Sequence, residues 1–215
     1  MAAKKKTLRS PILPKDLASQ SPDRLDTLDL DGSLLESCDL ANQRGDYIRF
    51  DGVRVVGGAM NDTKLTRVSW LDVVCERCTL SMIDWPAAKL TRVEFQGCRM
   101  TGGKLGEGEL DDVRFAECHL DFASFARARF RQVVFERCRI AEADFNQADL
   151  TGTTFIDCEL HGADFTRAKL DGADVSRSTL GELRVDARDL RGLVVSREQA
   201  AALSRSLLGL VIQDA

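Results

Sequence analysis

Six of the seven cysteines recur at multiples of twenty residues: Cys38, Cys78, Cys98, Cys118, Cys138 and Cys158. The skipped rung is Gly58, and Ser178 follows the last. Thiols repeated in this way suggest two chemistries, metal binding and redox sensing. Geometry argues against both. If residues twenty apart stack as neighbouring strands do, their Cβ atoms stand near 4.8 Å apart, beyond the roughly 3.5–4.5 Å that a disulfide requires. A zinc site needs ligands that converge, and a straight column does not converge. Cys75 and Cys78 make a lone C-x-x-C. A small thiol that tolerates burial accounts for the column by packing alone.

His119 and His161 carry the only imidazoles. No base and orienter accompany either one. Asp144, Asp149, Asp164 and Asp174 recur just before an apolar residue, so they belong to a scaffold pattern rather than to an acid–base pair. Phosphate-cradling glycine loops, H-E-x-x-H and G-x-S-x-G are all missing from the sequence. The expectation is a non-catalytic protein with no cofactor and no metal.

The elements that position these residues follow from a period of five. Every fifth residue from Leu25 to Val195 is apolar except Gly45, counting Cys75 as apolar. Five matches neither the 3.6-residue period of a helix nor the two-residue period of a strand, so the chain must turn once per five residues. The position two before each of these is mostly small: Ala123, Ala128, Ala143, Ala148, Ala163, Ala168 and Ala173 are examples. Two residues in five therefore face inward, one large and one small, and the other three are mostly polar. Cys75 and Cys78 fall in a large and a small inward slot of neighbouring repeats.

Segments such as AEADF, NQADL, HGADF, TRAKL and DGADV resemble the pentapeptide-repeat family, whose motif is roughly A(D/N)LXX. The resemblance covers about residues 23–195 and implies an all-β fold: a right-handed quadrilateral β-helix, four five-residue faces per coil. A twenty-residue coil then predicts ladders of like side chains: Phe95, Phe115, Phe135 and Phe155; Phe125, Phe145 and Phe165; Val53, Val73, Val93, Val113 and Val133. Eight to nine coils would make a rod of roughly 40 Å. Gly103 and Gly108 leave two small slots without side chains, which predicts slack or a slight bend.

The ends differ. Residues 1–22, with Lys4, Lys5, Lys6, Arg9 and Lys15 against Asp16, read as a basic, partly disordered arm. Residues 196–215 read as a cap. Ser196 and Gln199 form a capping-box pattern before a helix from Arg197 to about Leu208, with Ala200, Leu203 and Leu207 on one stripe. Gly209 ends it, and Leu210–Ile212 suggest a short strand.

The chain has 215 residues, 44% hydrophobic and 30% charged, with net charge −4. It shows no apolar run long enough for a membrane span and no signal-peptide core, so a reducing, cytoplasmic setting is expected. The quinolone-resistance branch of the pentapeptide family is similar in its helix-plus-strand ending. That likeness implies dimeric, acidic rods that mimic duplex DNA and engage DNA gyrase or topoisomerase IV. The charge pattern departs from mimicry. One outward column reads Lys89, Glu109, Arg129, Asp149, Lys169 and Asp189; another reads Arg77, Gly97, Glu117, Arg137, Asp157 and Arg177. Alternating signs should pair along the rod and cancel its long-range field. Direct nucleic-acid binding is not expected from an acidic chain.

The first expectation for function is therefore a protein-interaction module. Its candidate surface is the outward apolar pair Met82 and Phe122, with the basic Arg127, Arg129 and Arg131. The alternative is a topoisomerase-binding DNA mimic. Leu208, Leu210, Val211 and Ile212 exceed what a cap needs and predict a homodimer through the C-terminus.

Overall fold

A five-residue step closes into a rod because each corner bends through the left-handed backbone region. The computed structural model describes residues 7–25 and 27–212. Corner residues recur every five positions, and the non-glycine ones hold φ between 50° and 60°. Asn, Asp and Gly at corners adopt this conformation readily; other side chains are held there by their neighbours. Four corners make one coil, and each coil lies in register on the one before. Val68–Glu76 pairs in parallel with Lys89–Gln96, which pairs with Glu109–Ala116, always at a shift of twenty residues. The result is a four-sided solenoid of about eight coils with one C-terminal helix.

The interior is a single apolar column. Phe95, Phe115, Phe135 and Phe155 stack with centroid spacings of 5.0, 4.8 and 4.9 Å and planes within 6° of parallel. Phe125, Phe145 and Phe165 form the second ladder at 5.3 and 5.1 Å. The two meet edge to face, as between Phe115 and Phe125, the arrangement aromatic quadrupoles favour. The exception at Gly45 has a steric origin: a Cβ there would stand 1.8 Å from the Leu25 carbonyl oxygen.

Gly103 and Gly108 leave no slack. A Cβ on Gly103 would meet Ile83 and the Met100 carbonyl, both at 3.1 Å, and one on Gly108 would meet the Leu105 carbonyl at 2.9 Å. The neighbours have closed into the space, because a void forfeits dispersion contacts on all its walls.

The ends leave the four-sided repeat. Within the basic arm, residues 7–14 lie along one edge of the rod, and Ala18–Gln20 adds a parallel strand to Ser33–Glu36. Lys4, Lys5 and Lys6 lie outside the described residues. At the other end Ser196 caps the helix Arg197–Leu208 through a complete capping box, and Gly209 closes it at φ 63°. Leu203 and Leu207 pack against the core, and Ala200 faces the same cleft. Leu210–Ile212 forms no strand, since no neighbouring edge reaches it. Among the described residues no helix is long and apolar enough to cross a membrane.

Candidate functional site

The cysteine column is structural in its geometry. All seven thiols are free and buried. Four of them donate to a carbonyl of the preceding coil: Cys78 Sγ to Val55 at 3.5 Å, Cys98 to Cys75 at 3.4 Å, Cys118 to Phe95 at 3.4 Å and Cys138 to Phe115 at 3.4 Å. Ser178 takes over the same task, its hydroxyl donating to the Phe155 carbonyl at 3.1 Å. Burial pushes the Cys38 thiol up from its ordinary range. Gly58 interrupts the column without leaving a vacancy, since a Cβ there would come within 3.1 Å of Cys38 Sγ.

The outward charges pair between coils. Arg129 reaches Glu109 at 3.6 Å and Lys169 reaches Asp149 at 3.2 Å in one column; Arg137 meets Glu117 at 2.9 Å and Arg177 meets Asp157 at 3.0 Å in the other. Arg114 bridges Glu94 and Glu136, both at 2.5 Å, across three coils. Its guanidinium holds Glu136 below the usual carboxylate range. Each exposed pair stabilises the rod by only a fraction of a kcal/mol, and along these two columns the charges alternate in sign.

The candidate surface divides among three sides of the rod. Met82 and Phe122 lie on one edge, two coils apart, 55% and 65% exposed. Met82 Sδ stands 2.5 Å from where a Cβ on Gly102 would be, so the thioether folds over that glycine. Both residues occupy left-handed corners, φ 58° and 59°. Among the described residues they are the only large apolar side chains at such corners. Beside Phe122, the nearly buried Asp121 takes an ion pair from Arg139 at 2.5 Å. Arg127 sits on the next edge and pairs with Glu107 at 2.6 Å. Arg129 and Arg131 lie beyond it, lining a groove of about 1000 Å³ beside the N-terminal segment. Sequence reasoning grouped these arginines with Met82 and Phe122; the corner between them sends them to different faces.

Sequence reasoning also missed Asp72 and Asp112, which the N-terminal segment covers. Asp112 is 2% exposed and accepts from Arg9 three times: from its backbone N–H at 2.9 Å, from Nε at 2.6 Å and from Nη2 at 2.5 Å. Asp72 accepts the Ile12 N–H at 2.9 Å and both Nε and Nη2 of Arg92 at 2.6 and 2.5 Å. The one signal for them was an acid at a corner on a face otherwise rich in glycine.

At the C-terminus Leu208, Leu210 and Val211 are 58%, 52% and 88% exposed, and Ile212 is 36% exposed. They form an apolar end at the last helical residue and just beyond it.

A solenoid of stacked five-residue faces, four to a coil, defines a class of repeat protein. The family model for the pentapeptide repeat region matches residues 64–145, 88–165 and 108–193. The chain belongs to the pentapeptide-repeat family. Among solved structures it is similar to trypsin-treated QnrB1, a plasmid-mediated fluoroquinolone resistance protein. That match has 22% identity and a TM-score of 0.47, covering 92% of this chain and 98% of that one. It is also similar to HetL, a pentapeptide repeat protein involved in heterocyst differentiation regulation from the cyanobacterium Nostoc, with 16% identity and a TM-score of 0.26, covering 81% and 90%. None of the curated proteins matches the chain.

Proposed function

We propose that the chain is a non-catalytic protein-binding rod whose docking edge carries Met82 and Phe122. The observation that carries this reading is the strain at those two corners. A bulky apolar side chain gains nothing from a left-handed backbone or from water, yet both are displayed there. Strain kept where burial does not repay it points to a use. Arg139 and Asp121 beside Phe122 supply polar contacts at the rim of such a patch. Arg127, Arg129 and Arg131 belong to other faces and serve this edge only if the partner wraps around the rod.

The rival reading is a DNA mimic that binds DNA gyrase or topoisomerase IV and protects it from quinolones. It requires a continuous acidic face, and the paired columns oppose it. A homodimer through Leu208, Leu210, Val211 and Ile212 is compatible with both readings.

Affinity capture from the native host separates them. The intact chain should retain a partner that a Met82→Gln, Phe122→Gln variant loses. Retention of gyrase by both proteins, with protection of supercoiling against a quinolone, would replace this reading with mimicry.

A further inference from the structure

The N-terminal segment follows the edge diagonally opposite Met82 and Phe122. That edge is the corner column Gly32, Gly52, Asp72, Arg92 and Asp112. Arg9 meets Asp112 and Ile12 meets Asp72. The two acids are two coils apart, about 9.6 Å at the strand spacing, and three extended residues span about 10 Å, so the registers coincide. The Pro14 ring then lies on the glycine corners: a Cβ on Gly52 would stand 2.9 Å from its Cδ, and one on Gly32 3.5 Å from its Cγ. The edge thus reads an extended segment by an arginine, a backbone N–H three residues later and a proline two residues after that.

The segment is lightly held. No residue from 7 to 20 is buried, and Ile12 is 69% exposed. Its side chains lose little water, whereas the carboxylates beneath it are almost wholly enclosed. Segments fixed by a few hydrogen bonds and no buried apolar group open at low free energy. Opening would bare Asp112, a carboxylate seated so that Oδ2 takes two guanidinium N–H groups while Oδ1 takes the backbone N–H of the same arginine.

We propose that this edge is a docking track for an extended, arginine-bearing segment of a partner protein, and that residues 9–14 of the chain are its resident occupant, displaced when the partner binds. The track is separate from the Met82–Phe122 edge, and its test does not depend on that reading.

The probe is a fluorescent peptide with the sequence of residues 7–17, added to the full-length chain. Arg9→Ala loosens the resident segment, so the peptide should bind this variant at least about tenfold more tightly than it binds the unaltered chain, which hides its site. A peptide whose own arginine is replaced by alanine should not bind, and adding Asp112→Asn to the Arg9→Ala chain should abolish binding. Equal binding of the two peptides, or no gain on Arg9→Ala, overturns the proposal. Hydrogen exchange on the unaltered chain gives a reading independent of any variant. The Arg9 and Ile12 amides should exchange far faster than those of the rod, and faster still in excess peptide. Exchange as slow as the rod's interior would show a permanent segment and end the proposal. Peptide-dissociable dimers of the unaltered chain would reassign the track to exchange between copies.

Discussion

Phe115 lies on Phe135 with ring centroids 4.8 Å apart and planes 6° from parallel, twenty residues along the chain. Phe135 also stacks on Phe155 at 4.9 Å, so each ring is enclosed by the coils on both sides. Phe135→Ala should lower unfolding stability by about 3–5 kcal/mol. Phe135→Leu, which keeps most of the volume, should cost under about 1.5 kcal/mol. Urea denaturation followed by far-ultraviolet circular dichroism checks both values.

The cysteine column should be inert. A thiol reagent added to the native protein should modify none of the seven cysteines, all of which are buried, and all seven should react in denaturant. Ser178 already replaces a thiol in the column by a hydroxyl that donates to the same kind of carbonyl. Cys118→Ser should therefore change stability by about 1 kcal/mol or less. Cys118→Leu overfills a slot with no spare room and should cost about 1–3 kcal/mol. Rapid labelling of the folded chain would contradict the packing account.

Acid should loosen the edge beneath the N-terminal segment. The Arg92 guanidinium, donating to both oxygens, holds the Asp72 carboxylate below its usual range against the opposing effect of burial. A depressed folded pKa contributes stability that is fully present above the unfolded value, about 4, and is lost as pH falls through the folded value. Melting temperatures should fall below about pH 4 in the unaltered chain. Asp72→Asn should be less stable at neutral pH and show a shallower acid limb; an unchanged acid limb would remove Asp72 from the account.

The apolar C-terminal end should join two copies. Leu208, Leu210 and Val211 are exposed, and a two-fold contact would bury the same patch on both subunits. Light scattering of the intact chain at tens of micromolar should give a dimer mass, and Leu208→Glu with Leu210→Glu should give a monomer. A monomeric intact chain counts against the interface.

The repeat was legible because it is written locally. Any five consecutive residues from 25 to 195 state which two face inward, and like or oppositely charged residues twenty apart state which coils touch: phenylalanine on phenylalanine, cysteine on cysteine, arginine opposite glutamate. The capping box at Ser196 and Gln199 is local in the same sense, and the helix begins where it predicts. The candidate surface was only half legible. The spacing of Met82 and Phe122 revealed their shared edge, but proximity in sequence grouped Arg127, Arg129 and Arg131 with them, and one corner separates those faces.

Tertiary structure alone decided the rest. Arg9 and Asp112 are 103 positions apart, and no period relates an arm to a corner. Their meeting depends on a chain that leaves the first coil and runs back up the rod, which only the assembled edge can direct. Gly103 and Gly108 looked like gaps by composition; whether a missing side chain leaves a gap depends on how far its neighbours close in, and here Ile83 and the Leu105 carbonyl do so. The strand expected at Leu210–Ile212 needed a partner edge, and a strand without one has no ladder to stabilise it. Repetition along the chain determined the rod, while contacts between segments that share no repeat determined what covers its edges and ends.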